Sequence, residues 1–177
     1  YRGPEGECVV FADCAVTVAP DATELADIAC ATAHTARVLL RWEPRVAMLS
    51  FSTRGSGDHE SVDRVREAVR LARDRDPTLL IDGELQLDAA VTPEVAARKV
   101  PGESAVAGRA NVLIFPDLNA ANIACKCVQR FAGGDAYGPF LQGFAKTVSD
   151  LSRGASVADV VGGAVLAAVH AQGLKGL

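Results

Sequence analysis

Three short apolar runs, each followed by a polar loop and then by a helical pattern, constrain this chain most strongly. They occupy residues 45–50, 78–81 and 111–115. A short continuous apolar run is typical of a strand that is buried on both faces. Strands of this kind that alternate with helices indicate an α/β fold, in which helices cover both faces of a largely parallel sheet. We therefore predict a three-layer α/β/α domain.

The remaining segments extend this alternation. Residues 8–18 are rich in β-branched side chains and predict a strand that is interrupted at Asp13. Asp21, followed three residues later by Glu24, matches a capping box that opens a helix. The patterns predict helices over residues 21–42, 60–73, 88–99, 117–131 and 157–172, and a short strand over residues 139–141.

Composition places the chain among ordinary globular proteins and excludes several classes of function. Its 177 residues are 49% hydrophobic and 23% charged, which suits one domain with a real core. The net charge is −4 and the basic residues are scattered, which argues against a nucleic-acid partner. The most apolar segment, residues 157–172, contains Asp159 and His170, so we predict a core helix there and no membrane span.

The cysteines show no spacing of a disulfide framework. Their number is odd, which indicates free thiols in a reducing compartment, and we predict a cytoplasmic protein. On a helix, the side chains of Cys125 and Cys127 diverge by about 200°, so we expect no zinc site there. The cysteines are Cys8, Cys14, Cys30, Cys125 and Cys127.

A cluster of polar groups lies immediately before the C-terminal helix. Ser156 and Asp159 match a relaxed capping box, with the carboxylate in the first turn, where the helix dipole favours it. Ser152 and Arg153 then lie just outside the helix N-terminus. A hydroxyl, a guanidinium and free N–H groups suit a phosphate or a developing oxyanion. The alternative is that Asp159 only caps the helix and that Arg153 is a solvated surface residue.

The first buried strand leads into a loop of small polar residues that includes an arginine. A strand, such a loop and then a helix form, in principle, a phosphate-binding arrangement. The alternative is an ordinary connection. The candidate substrate-binding residues in this loop are Ser52, Thr53, Arg54, Gly55 and Ser56.

Polar groups also follow the other two buried strands. The carboxylates of residues 82–88 come at the end of a predicted strand, where open α/β sheets place ligands. We expect no metal there, because acidic residues also favour helix N-termini. Asn119 and Asn122 follow the third strand and are either helix caps or ligand contacts. Lys126 lies one helical turn beyond Asn122 and is a candidate for the same cleft.

Several stretches resemble the phosphotransacetylase (phosphate acetyl/butyryltransferase) family, in the family's order. The run Asp-Leu-Ser-Arg-Gly at 150–154, with Ser156 and Asp159, is similar to the C-terminal signature of that family. The resemblance spans residues 11–172. The other similar stretches are Ala-Asp-Cys-Ala-Val at 12–16, Ser-Thr-Arg-Gly-Ser at 52–56, Asp-Gly-Glu-Leu-Gln at 82–86, Phe-Pro-Asp-Leu-Asn at 115–119 and Gly-Pro-Phe-Leu-Gln-Gly at 138–143.

This chain departs from the family pattern in one helix. The family usually has glycine where this chain has Ala121, and a Gly-Tyr pair is common where it has Ala124 and Cys125. Glycine permits close approach of the backbone to a ligand, so such an approach is not implied at this position. His59, just beyond the polar loop of residues 52–56, is assigned no role.

The resemblance implies the architecture of the isocitrate and isopropylmalate dehydrogenases, with two domains and an active site in the cleft between them. Family members are longer and this chain begins at Tyr1 instead of Met, so we expect it to be the C-terminal half. Residues 1–150 would form the second domain. Residues 151–177 would hold the signature and a helix that packs on the missing N-terminal domain. We also expect a homodimer.

The activity implied by the resemblance is the reversible transfer of an acetyl group between acetyl phosphate and coenzyme A. Asp159 would be the general base for the coenzyme A thiol. Arg153 would neutralise the phosphoryl leaving group, and Ser152 would donate to the carbonyl oxygen or the phosphate. Coenzyme A, acetyl phosphate and inorganic phosphate are then substrates. The resemblance implies no tightly bound cofactor and no metal.

Two alternatives share these motifs. One is a non-catalytic acetyl-CoA-sensing domain of a larger enzyme such as a malic enzyme, and the other is a phosphate butyryltransferase. We expect the isolated chain to have little or no transferase activity, because one wall of the cleft would be absent.

Overall fold

The computed structural model describes residues 1–3, 6–133 and 135–173. Its strands are β1 (Val10–Ala12), β2 (Arg45–Leu49), β3 (Leu80–Leu85), β4 (Val112–Ile114), β5 (Phe140–Leu141) and β6 (Val148–Ser149). The first four form a parallel sheet in the order β1-β4-β2-β3, while β5 and β6 form a separate antiparallel pair. At the centre of the sheet, Met48 pairs with Ile114 on one side and with Gly83 on the other.

Helices occupy most of the remaining described chain. They are α1 (Ala22–Thr35), α2 (Glu60–Arg75), α3 (Leu87–Val91), α4 (Pro93–Lys99), α5 (Leu118–Phe131) and α6 (Val157–Gly173). At the start of α1, the Asp21 carboxylate accepts a hydrogen bond from the Glu24 N–H at 2.8 Å. The Glu24 carboxylate accepts one from the Asp21 N–H at 2.9 Å, which confirms the predicted capping box. A π-helical segment, Ala36–Leu40, continues α1.

Two apolar clusters lie on opposite faces of the sheet. One packs α1 and α2 against residues such as Met48 and Ile114. The other packs α3, α4 and α5 against residues such as Ala47 and Leu113. Successive residues of a strand point to opposite faces, so each central strand contributes to both clusters. This arrangement confirms the predicted three-layer α/β/α fold with a parallel sheet. The likeness to the isocitrate and isopropylmalate dehydrogenases stays a prediction.

The carboxyl end of β3 differs from the prediction. The apolar run of residues 78–81 predicts a strand that ends before Asp82, but β3 continues to Leu85. Asp82 and Glu84 therefore lie inside the sheet, where carboxylates are rare unless they are paired. Met48 pairs with Gly83 and Leu49 pairs with Leu85, so Glu84 is an extra residue that forms a β-bulge.

Two other predicted elements are shorter or divided. The predicted strand over residues 8–18 is reduced to β1, because the chain turns at Asp13. The Asp13 carboxylate accepts hydrogen bonds from the N–H groups of the turn, those of Ala15, Val16 and Thr17. The predicted helix over residues 88–99 is divided into α3 and α4, with Pro93 at the first position of α4. Proline lacks an N–H and fits a helix start better than an interior.

Helix α6 lies outside the three layers. It packs against the π-helical segment and β6. The valines Val157, Val160, Val161, Val165 and Val169 are exposed along it. Packing of this helix on an N-terminal domain stays a prediction, and residues 174–177 of the predicted segment lie outside the described residues. Within the described ranges, no helix is both long enough and apolar enough to span a membrane.

Candidate active site

The adjacent strands β2 and β4 lead the chain to opposite faces of the sheet. After β2 the chain enters α2 on one face, and after β4 it enters α5 on the other. In open α/β sheets, a crevice forms at the carboxyl ends of two such strands, and ligands bind there. A cavity of about 350 Å³ occupies this position, lined by Ser50 and Phe51 after β2, by Phe115 and Pro116 after β4, and by Leu87.

The loop after β2 carries five predicted substrate-binding residues, of which two are buried. The Ser52 hydroxyl donates to Glu84 Oε1 at 3.1 Å and accepts a hydrogen bond from the Gly57 N–H at 3.0 Å. The Thr53 hydroxyl donates to Gln86 Oε1 at 3.2 Å and accepts one from the Gln86 N–H at 2.9 Å. These two hydroxyls therefore hold the loop in one shape.

Arg54 and Gly55, at the tip of the loop, both have positive φ angles, of 48° and 85°. This conformation is unfavourable for a residue with a Cβ, so Arg54 requires contacts that hold it. Its Nη2 donates to both carboxylate oxygens of Asp82 at 2.7 Å. The Gly55 N–H donates to Glu84 Oε1 at 2.7 Å. Two carboxylates of β3 thus hold the tip of the loop.

Glu84 is the centre of this network. Its side chain is 4% exposed, and Arg66 donates to it through Nε at 2.9 Å and through Nη2 at 3.0 Å. Burial by itself raises the pKa of Glu84, but the hydrogen bonds from Arg66, Gly55 and Ser52 outweigh it. Together they lower the pKa of Glu84 from 4.5 to about 2. The carboxylate is therefore charged at neutral pH, and the β-bulge lets it reach the loop.

The part of the loop that faces solvent is cationic and polar. The Arg54 side chain is 34% exposed, and its Nε and Nη1 make no hydrogen bond to the described residues. Ser56 is exposed, and its hydroxyl accepts a hydrogen bond from the Thr53 N–H at 2.9 Å. A guanidinium that is already held in place by a carboxylate suits a phosphate or another oxyanion. The loop can therefore act as a preformed anion-binding element.

Helix α5 forms the other side of the crevice. Its N-cap is Asp117, whose carboxylate accepts a hydrogen bond from a first-turn N–H at 2.9 Å, so neither candidate asparagine caps the helix. The Asn122 side chain donates to the Cys14 carbonyl at 3.2 Å. Asn119, Asn122 and Lys126 are all exposed. Their spacing of three and then four residues places them on one face of the helix.

The residues predicted to be catalytic lie on the loop before α6. The N–H and hydroxyl of Ser156 donate to the Asp159 carboxylate at 2.7 and 2.9 Å, and these hydrogen bonds lower the pKa of Asp159. The Ser152 hydroxyl accepts a hydrogen bond from the Gly154 N–H at 3.4 Å, and Arg153 is exposed. Within the described chain, no hydrogen bond or ion pair joins Ser152, Arg153 or Asp159 to the loop after β2 or to α5.

The structure thus brings two of the three predicted groups to one edge of the sheet, the loop of residues 52–56 and the residues of α5. The third group, before α6, is separate from them. The capping role predicted for Asp159 is confirmed, and its predicted catalytic role stays a prediction. In the part of the chain that the structure describes, no group of three or more His, Cys, Asp or Glu side chains is placed to hold a metal ion.

Sequence reasoning missed the residue that holds Glu84. Arg66 lies on the solvent side of α2, 18 positions before Glu84, and nothing local marks it as a partner. The one available signal is Glu84 itself, because a carboxylate in a strand of a central sheet requires a cation or several hydrogen-bond donors. The position of Glu84 therefore indicates that it has a partner, but it does not identify Arg66 as that partner.

Fold and site together define an α/β protein with a preorganised, cationic loop at the carboxyl edge of its parallel sheet. A profile of the family described as phosphate acetyl/butaryl transferase matches residues 3–168. The phosphate acetyltransferase of Thermoanaerobacterium thermosaccharolyticum is 58% identical over 168 residues, which are 95% of this chain and 51% of that protein. The phosphate acetyltransferase of Clostridium acetobutylicum is 57% identical over 170 residues, covering 96% and 50% of the two chains.

Solved structures agree with these relatives. A phosphotransacetylase from Streptococcus pyogenes is 49% identical and superposes with a TM-score of 0.89, covering 98% of this chain and 52% of that one. A branched-chain phosphotransacylase from Enterococcus faecalis, at 22% identity and a TM-score of 0.80, covers 96% and 60% of the two chains and shares the fold. The chain belongs to the phosphate acetyl/butyryltransferase family. It spans about half the length of the curated relatives it matches.

Proposed function

We propose that the protein containing this chain is a phosphate acetyltransferase, which converts acetyl-CoA and phosphate reversibly into acetyl phosphate and coenzyme A. The observation that carries this proposal is the 58% identity, over 95% of this chain, to a protein named phosphate acetyltransferase. An acetyl substrate is favoured over a longer acyl group, because the relatives at 57% and 58% identity are both named phosphate acetyltransferase.

In this proposal the crevice between β2 and β4 binds a phosphate-bearing substrate. Arg54 provides a positioned cation at the loop tip, held at 2.7 Å from the Asp82 carboxylate oxygens. Asn119, Asn122 and Lys126 provide amide donors and a second cation on the exposed face of α5. Phosphate oxygens accept hydrogen bonds from such donors. These residues and Ser52, Thr53, Gly55 and Ser56 are our proposed substrate-binding set.

The chemical step is proposed to be direct, without a covalent enzyme intermediate. The coenzyme A sulfur attacks the acetyl carbonyl carbon, the bond from that carbon to the phosphate oxygen breaks, and phosphate leaves. Asp159 takes the thiol proton, Arg153 neutralises the departing phosphate, and Ser152 donates to the carbonyl oxygen or the phosphate. Because hydrogen bonds lower the pKa of Asp159, proton transfer must accompany the attack, or Asp159 must leave Ser156 first.

We propose that residues 1–150 and 151–177 belong to different sides of an active-site cleft, with α6 packed on an N-terminal domain. We also propose a cytoplasmic homodimer that binds coenzyme A as a substrate and holds no cofactor tightly. Size-exclusion chromatography with light scattering tests the dimer. The isolated 177-residue chain should show little turnover, and turnover near that of the complete protein would contradict this arrangement.

The activity is tested by following the coenzyme A thiol in the presence of acetyl phosphate. The complete protein should turn over, and Arg153→Ala and Asp159→Asn should each lose about 10² in rate, equivalent to about 2.7 kcal/mol of transition-state stabilisation. Arg70→Ala, which replaces an exposed arginine on α2 that bonds only to Glu67 and Asp74 of its own helix, is the matched control and should keep the full rate. If the complete protein binds acetyl-CoA without turnover, it is an acetyl-CoA sensor and not an enzyme.

A further inference from the structure

Two cysteines that are far apart in the chain meet beside the crevice. Cys14 lies in the turn after β1, and Cys125 lies in the second turn of α5. Their sulfur atoms are 2.9 Å apart, although 111 positions separate the residues. The Asn122 side chain, one helical turn before Cys125, donates to the Cys14 carbonyl at 3.2 Å and so ties the two segments together at the same place.

The charges around the two thiols differ. When both thiols are protonated, either sulfur can donate to the other. When one proton is lost, it leaves Cys125, because the hydrogen bond with Cys14 and the neighbouring Lys126 lower the pKa of Cys125. The hydrogen bond with Cys125, together with burial and the Asp13 carboxylate, raises the pKa of Cys14. In the singly ionised pair, Cys125 is therefore the thiolate and Cys14 is the thiol in contact with it.

Both side chains are partly exposed, so small oxidants can reach them. The turn that carries Cys14 is ordered by the Asp13 carboxylate, which accepts hydrogen bonds from the N–H groups of Ala15 and Thr17 at 2.8 and 2.7 Å. A second sulfur is thus already in place next to the more acidic thiol. This is the arrangement of a reactive cysteine poised next to a resolving one.

We propose that Cys14 and Cys125 form a modification site, a dithiol that hydroperoxides oxidise to an intramolecular disulfide. With hydrogen peroxide as the oxidant, the Cys125 thiolate attacks one oxygen, the O–O bond breaks, and the leaving hydroxide takes up a proton as water. The Cys14 sulfur then attacks the Cys125 sulfenic acid, the S–O bond breaks, and a second water leaves. In total, the two thiols lose two electrons and two protons, and hydrogen peroxide is the oxidant that accepts them.

The other cysteines lack this geometry. In the described residues, no other pair of sulfur atoms is within hydrogen-bonding distance. Cys127 is exposed and follows Cys125 by two positions on α5, so its side chain points about 200° away around the helix. Burial raises the pKa of Cys30, which makes its thiol less reactive. Cys127 is therefore the natural control for a reaction that requires a partner.

The test is peptide mapping of the protein after oxidation. The reduced protein is treated with a small excess of hydrogen peroxide, its remaining thiols are alkylated, and it is cut with trypsin and Asp-N protease. Cleavage before each aspartate and after each lysine or arginine leaves Cys14 as the only cysteine of peptide 13–20. It leaves Cys125 as the only cysteine of peptide 117–126. We expect these two peptides joined by a disulfide, with a mass two hydrogens below their sum, and their release by dithiothreitol.

Variants make the assignment specific. Cys127→Ser should give the same cross-linked peptide as the wild type, whereas Cys14→Ser and Cys125→Ser should give none. The proposal is overturned if peroxide leaves peptides 13–20 and 117–126 alkylated while Cys8 and Cys127 oxidise. It is also overturned if Cys125 pairs with a different cysteine or with a second protein molecule. If Cys14→Ser or Cys125→Ser does not fold, peptide mapping of the wild type and Cys127→Ser still tests whether Cys14 and Cys125 form the disulfide.

Discussion

The loop after β2 and the loop before α6 both combine a serine, an arginine and a helix start, but they are held in different ways. Arg54 and Gly55 of the first loop donate hydrogen bonds to Asp82 and Glu84 of β3, which lie 28 and 29 positions further along the chain. In the second loop, the Ser156 and Asp159 contacts span only three residues, and Arg153 is exposed. The first loop is preorganised by the sheet. The side chains of Ser152, Ser156 and Asp159 in the second loop make hydrogen bonds only within the loop and the first turn of α6.

This difference indicates how each loop can take part in a site. Preorganised donors lose little entropy when they bind an anion, so the first loop already has a shape that suits an anion. The second loop gains a fixed position only from another surface, and the exposed valines of α6 beside it are suited to contact one. Three predictions test this comparison, from the largest expected effect to the smallest.

The largest effect is expected from Glu84→Ala. It leaves the Gly55 N–H without its acceptor, removes the buried partner of Arg66, which keeps only the exposed Asp63, and leaves the Ser52 hydroxyl only the Gly57 carbonyl as acceptor. We therefore expect a loss of about 2–3 kcal/mol in the free energy of unfolding. Urea denaturation measures it. Glu67→Ala, which removes an exposed ion pair with Arg70 on α2, is the control and should change stability little. Equal losses in the two variants would show that Glu84 does not organise the loop.

A smaller effect is expected from acid. The pKa of Glu84 is about 2 in the folded protein and lies below its ordinary value of 4.5, so the unfolded chain takes up the proton first as the pH falls. The contribution of Glu84 is therefore complete at neutral pH, declines from about pH 5 and is lost near pH 2. Urea denaturation of wild type and Glu84→Gln from pH 7 to pH 3 should show their difference shrinking. A constant difference would contradict this linkage.

The smallest effect on stability is expected from Arg153→Ala. Arg153 is exposed and makes no hydrogen bond or ion pair with the described residues, so the unfolding free energy should change by less than about 0.5 kcal/mol. The same variant should lose about 10² in acetyl transfer if the proposed function is correct. A stability loss above about 1 kcal/mol would show that the second loop is also held by tertiary contacts, and the comparison would fail.

Local patterns predicted much of the fold. The capping box of Asp21 and Glu24, the apolar strands and the helix after each polar loop all depend on neighbours within four residues, which a sequence displays directly. The extension of β3 was not predictable in this way. Asp82 and Glu84 look like loop residues, and they enter the strand because Arg54 and Arg66 pair with them there.

The sequence by itself determined the fold class, the edge of the sheet where the polar loops lie, and the residue types gathered there, because hydrophobic periodicity and turn residues act locally. Only the tertiary structure decided which residues are partners. Glu84 meets Arg66 and Gly55, Cys14 meets Cys125, and Asp117 instead of an asparagine caps α5. Except for the cap, these contacts join segments that are far apart in the chain, and they exist because packing two layers of helices on one sheet brings those segments together.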